Sequence, residues 1–66
     1  MTTDQIKDVA IGYYSKHNKW PEVGEFQAIC AATLNLVVDD AELSERLENL
    51  RQVNEVTLEN GVVEVL

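Results

Sequence analysis

Apolar positions along this chain recur with helical spacing through its first three quarters and then switch to alternation. Between residues 3 and 17, Ile6, Val9, Ala10, Tyr13 and His17 follow an i, i+3, i+4, i+7 rhythm, which predicts an amphipathic helix with Tyr13 in the core. Thr2-Thr3-Asp4-Gln5 is a capping-box sequence, in which a threonine oxygen takes a free N–H and Gln5 reaches back. Asp4 near the start and Lys16, His17 and Lys19 near the end complement the helix dipole. Pro21 disfavours helical geometry at Trp20 and stops this element.

A second helix is expected from about Glu22 to Leu34, with Val23, Phe26, Ile29, Cys30, Thr33 and Leu34 on one face. Glu22 and Glu25 suit its first turn, Gly24 weakens it by about 1 kcal/mol relative to alanine, and Asn35 ends it. Leu36-Val37-Val38 is a short apolar connector, either a turn packed on the core or a brief strand. Asp39 or Asp40 then caps a third helix running from Asp40 to Gln52, whose Leu43, Leu47 and Leu50 form a row that Val53 extends. Glu42 and Arg46 make an i, i+4 pair in the favourable orientation, worth about 0.2–0.5 kcal/mol.

From Glu55 to Leu66 the period changes to two. Asn60-Gly61 between two β-rich runs is the preferred type I′ hairpin turn, because both central residues need positive φ. A two-residue loop sets Glu59 opposite Val62, Leu58 opposite Val63, Thr57 opposite Glu64 and Val56 opposite Val65. Val56, Leu58, Val63 and Val65 then share one face, while Thr57, Glu59, Val62 and Glu64 share the other. An isolated hairpin is marginal in water, so the apolar face must pack on the helices. The expected fold class is α+β: three helices followed by a C-terminal two-stranded hairpin, one winged-helix-like domain over residues 1–66.

Charge changes what such a layout can do. The chain has twelve acids and five bases, a net charge of −7. Residues 39–66 account for −6 of this: Asp39, Asp40, Glu42, Glu45, Glu48, Glu55, Glu59 and Glu64 stand against Arg46 and Arg51. Proteins bind duplex DNA by neutralising phosphates with Lys and Arg, so unaided DNA binding is disfavoured. Size constrains function as well. A 66-residue domain buries only about 60% of the surface its unfolded chain exposes, which leaves no room for a deep catalytic cleft. With 45% hydrophobic residues the chain should nonetheless fold. Cys30 alone makes no internal disulfide and no metal-ligand set, and a reducing, cytoplasmic setting suits it. Neither a signal peptide nor a membrane span is expected.

Three helices and a terminal hairpin resemble the DNA-binding domain of LexA-type repressors. Tyr14-Ser-Lys-His-Asn-Lys-Trp-Pro21 followed by Glu25-Phe26 is similar to that family's polar stretch, proline-containing turn and acidic–aliphatic helix start. Leu43, Leu47 and Leu50 resemble the row leading into its wing. The resemblance implies a winged-helix body spanning almost the whole chain. It does not carry over DNA-reading residues: where the family presents Ser, Asn and Arg, this chain has Asp39-Asp40-Ala41-Glu42, and its wing carries Glu59 and Glu64.

Each candidate group has a plain alternative. Cys30 lies on an apolar face and reads as a small core hydrophobe; a reactive thiol would need nearby cations. His17 reads as a dipole-complementing residue rather than a base. Ser15 and Ser44 show no nucleophile signature, and no glycine-rich phosphate loop or metal spacing occurs, so no enzyme, cofactor or metal is expected. The Asp39-Asp40-Glu42 cluster lacks the glycine and alternating oxygens of a calcium loop and reads as helix capping. Tyr14 should be partly exposed beside a core-facing Tyr13. Trp20 reads as a lid over the core, with contact to a partner as the alternative role.

The sharpest expectation is a small non-enzymatic regulatory or adaptor protein. It would dock a basic protein, such as one that binds nucleic acid, through Asp39, Asp40, Glu42, Glu45, Glu48, Glu59 and Glu64, with DNA mimicry as a special case. The bland alternative is a solvated face that keeps the protein soluble. A second reading is a dimeric transcription regulator contacting DNA through Arg46, Asn49, Arg51 and Gln52. A third is a homodimer built on Leu36, Val37, Val38 or Val62. Small size and the lack of appended domains suit a phage or mobile-element accessory protein.

Overall fold

The computed structural model describes all residues, Met1–Leu66. Helix α1 spans Thr3–His17, α2 Val23–Leu34 and α3 Asp40–Gln52; strands β1 (Val56–Thr57) and β2 (Glu64–Val65) form an antiparallel ribbon. This is the expected α+β, winged-helix-like arrangement, with β2 packed on α1 and β1 on α3.

The helix ends have local causes. Thr2 closes the capping box on α1: its Oγ1 accepts from the Gln5 N–H at 3.1 Å, and Gln5 Oε1 accepts from the Thr2 N–H at 2.9 Å. Asp39, not Asp40, caps α3, its carboxylate accepting the Ala41 N–H at 3.0 Å. Each helix is followed by an asparagine in the left-handed region: Asn18 at φ 57°, Asn35 at 55° and Asn54 at 62°. Asparagine tolerates that geometry better than other residues with a Cβ. After α3 the Glu55 N–H reaches back to the Leu50 carbonyl and the Asn54 N–H to that of Arg51, a Schellman closure.

Eleven apolar residues form the core: Ile6, Val9 and Ala10 from α1, Phe26 and Cys30 from α2, Leu43, Leu47 and Leu50 from α3 and Val56 from β1, completed by Val38 and Val63 from the connecting segments. Trp20, Ile29, Leu34, Leu58 and Val65 pack around them. Some residues of the apolar rows depart from expectation. Tyr13 is only half-buried, because it lies at the end of α1 with its ring 4.2 Å from that of His17. Val53 does not extend the leucine row; it falls beyond the last turn of α3 and is 61% exposed. Val23 and Thr33, at the margins of the α2 face, are also exposed. The apolar connector is no strand: Val38 turns into the core while Leu36 and Val37 face solvent. Gln27 Nε2 fastens it by donating to the Val38 carbonyl at 2.8 Å.

The hairpin keeps the expected register, with Val56 opposite Val65 and Thr57 opposite Glu64. Asn60 (φ 60°) and Gly61 (φ 72°) form the turn, and the Val62 N–H reaches the Glu59 carbonyl at 3.4 Å. Above Thr57 the ladder does not continue as expected. The Val63 N–H donates to the carbonyl of Pro21 at 2.8 Å, and Glu22 bridges Val62 in antiparallel fashion. These two contacts tie the segment between α1 and α2 to the hairpin, which itself stays two-stranded.

Candidate protein-docking surface

Helix α3 buries its leucine row and turns its polar residues outward. Asp39, Asp40 and Glu42 crowd its N-terminal end, where unpaired backbone N–H groups favour negative charge. Glu45 follows one turn later and is exposed. Glu42 is engaged, since Arg46 Nε donates to its carboxylate at 3.2 Å. Glu48 is engaged as well: Arg51 donates to both of its oxygens, through Nε at 2.9 Å and through Nη2. That guanidinium holds the Glu48 carboxyl below the usual carboxylate range, and the carboxylate raises Arg51 in turn. Both arginines of the DNA-reading alternative are therefore occupied by glutamates on their own helix. Asn49 and Gln52 remain exposed beside them.

The hairpin acids occupy two settings. Glu59 lies at the turn, on a cleft it shares with Arg51, Asn54, Glu64 and Leu66, so the α3 C-terminus and the hairpin border one another. Glu64 also borders a second groove, with Tyr14, Lys19, Trp20, Glu22 and Glu25. Tyr14 and Trp20, the two aromatic contact candidates, stack there with ring centroids 4.4 Å apart and planes 29° from parallel. Trp20 thus serves as a lid on the core and as a groove wall at once. Sequence reasoning placed Glu22 and Glu25 only as dipole-complementing residues. Their position opposite Glu64 depends on the Glu22–Val62 bridge, a long-range pairing that leaves no local signal.

Elsewhere, Lys7 pairs with Glu55 at 2.8 Å and ties α1 to the segment leading into β1; its ammonium is raised above the ordinary lysine value, chiefly by that hydrogen bond. Lys16 and Lys19 form no ion pair. Cys30 is fully buried, and the loss of solvent pushes its thiol up to about 11, so it is neither thiolate nor accessible at neutral pH. His17 is exposed against the Tyr13 ring. No group of three or more His, Cys, Asp or Glu side chains is placed to hold a metal ion. No helix is long and apolar enough to cross a membrane. Of the apolar patch considered for self-association, Val38 is buried and Val62 half-buried against Glu22, which leaves Leu36 and Val37.

No protein-family model, no curated protein and no solved structure matches this chain.

Proposed function

We propose that this protein is a non-enzymatic regulatory or adaptor domain that docks a basic protein, such as a nucleic-acid-binding one, through the acidic outer surface of α3 and the hairpin. The observation that carries the reading is the state of the charges. Arg46 and Arg51 are neutralised by Glu42 and Glu48, while Asp39, Asp40, Glu45, Glu59 and Glu64 have no cationic partner. Such a surface repels phosphate and draws in cationic macromolecules, speeding encounter and rejecting like-charged partners more than it raises affinity. The resemblance to LexA-type repressors belongs to the same reading, as a winged-helix-like body whose reading end has become electronegative. A cytoplasmic setting and an origin in a mobile element are in keeping with it.

Two measurements test it. A partner recovered from host lysate should lose binding when Glu45, Glu48 and Glu59 are reversed to lysine; unchanged binding overturns the proposal. Titration with duplex DNA should give no complex down to about 50 mM salt, whereas binding with a steep negative salt slope would favour the transcription-regulator reading.

A further inference from the structure

The groove beside the Tyr14–Trp20 stack has a chemistry of its own. It is an open groove of about 530 Å³, a volume in the range of small-ligand sites. One wall is aromatic: Tyr14, 41% exposed, stacks on the half-buried Trp20. Glu22, Glu25 and Glu64 line the same groove. Three structural facts bring these carboxylates together. Glu22 is the extended N-cap residue of α2 and Glu25 lies in its first turn, with the Glu25 N–H donating to the Glu22 carbonyl at 3.1 Å. Glu22 forms an isolated antiparallel bridge with Val62. Glu64 lies two residues beyond Val62, so its side chain leaves the same face of the strand. None of the three is in an ion pair, and Glu22 does not cap α2 with its side chain. The one cation on the groove, Lys19, is likewise unpaired.

An aromatic face next to unanswered carboxylates suits a planar cation. A guanidinium can stack on a ring and still present its edge N–H groups to a carboxylate, which a compact ammonium does less well. We infer that the groove between the end of α1, the start of α2 and the hairpin receives an arginine side chain of a basic protein partner, stacked on the exposed ring of Tyr14, which Trp20 backs, and held by Glu22, Glu25 and Glu64. This rests on the acidic-docking reading and deepens it, because it moves the point of specific recognition from α3 to the opposite edge of the hairpin.

Trp20 is the only tryptophan in the chain, so its fluorescence reports on the groove directly. A capped hexa-arginine peptide titrated into the protein at low salt should change that signal saturably and bind more tightly than capped hexa-lysine. The double variant Glu22→Gln/Glu25→Gln should weaken the arginine peptide by about tenfold, roughly the loss of one charge-assisted contact. Asp40→Asn/Glu45→Gln removes the same number of charges from α3 and should leave it nearly unchanged. Tyr14→Leu, which alters no charge, should weaken it by about two- to thirtyfold. Lys19→Met should strengthen it. All of these positions except Lys19 and Tyr14 are exposed acids outside any ion pair, and circular dichroism checks that each variant folds.

Equal weakening by the two double variants means that the peptide senses net charge alone and overturns the inference. So does the absence of a saturable Trp20 response, or equal binding of the lysine peptide. The two proposals fail separately. A recovered partner that is lost on reversal of Glu45, Glu48 and Glu59 but held normally by Glu22→Gln/Glu25→Gln would sink the groove and leave the acidic dock standing. A partner lost only in the groove variant would do the reverse.

Discussion

The outward face of α3 and the groove beside Tyr14 and Trp20 are both rich in carboxylates, yet they differ in how those charges are answered. On α3, Glu42 and Glu48 bind Arg46 and Arg51 within one helix, as i, i+4 and i, i+3 neighbours do. In the groove, Glu22 and Glu25 at the start of α2 meet Glu64 of β2 beside the Tyr14–Trp20 stack, and none of the three is in an ion pair. Local sequence can arrange for an acid to be neutralised a turn away. It has no such means for acids that meet only after folding. Net charge locates an electronegative surface, whereas unpaired charge beside a cavity marks where specific recognition is to be tested.

Both regions hang on the same interior, so the widest break comes from there. Phe26→Ala removes a fully buried ring and should cost about 3–5 kcal/mol, comparable to the whole net stability of so small a domain. Urea denaturation should show a protein largely unfolded without denaturant, and Cys30, slow to react with a neutral thiol reagent in the parent, should become rapidly labelled. Gly61→Ala places a Cβ at φ 72° and should destabilise by about 1–2 kcal/mol, even though no neighbouring atom obstructs it. Its effect should centre on the hairpin tip, visible as faster amide exchange at Val62, and reach both regions through Glu59 and Glu64. Asp39→Ala separates the two regions. It removes the α3 cap at a cost of about 1 kcal/mol, and amide exchange should quicken in the first turn of α3 while the Trp20 fluorescence stays as it was.

The smallest effect sharpens the contrast between answered and unanswered acids. Because Arg51 holds Glu48 below the usual carboxylate range, the pair's contribution is present above the unfolded carboxylate value and fades as pH falls through the folded one. Denaturation midpoints measured down that range should show Glu48→Gln less acid-sensitive than the parent. A variant as acid-sensitive as the parent would mean that the solvent-exposed pair contributes nothing measurable.

Much of the fold was legible because its determinants lie close together in the chain. The start of α1 follows from Thr2 and Gln5; the cap of α3 from Asp39; the hairpin register from Asn60-Gly61. The roles of Asn18 and Asn54 as helix terminators were equally local and went unread, since asparagine is common in many other settings. Tyr13 and Val53 were misplaced because a helical period does not say how far the neighbouring element extends over a helix end. The candidate site divides the same way. The acids of α3 could be seen in the residues alone, whereas the state of Arg46 and Arg51 required side-chain positions.

By itself, then, the order of residues determined three helices, a ribbon and the strongly negative C-terminal end, because capping, periodicity, turn preference and charge all act within a few residues. Only the tertiary structure decided that Val63 would leave the Leu58 ladder for the carbonyl of Pro21 and that Glu22 would come to lie across from Val62. Those contacts join segments some forty residues apart, and burial of Val63 beneath the helices, not any local preference, selects them. The groove that joins Trp20 to Glu64 exists because that selection was made.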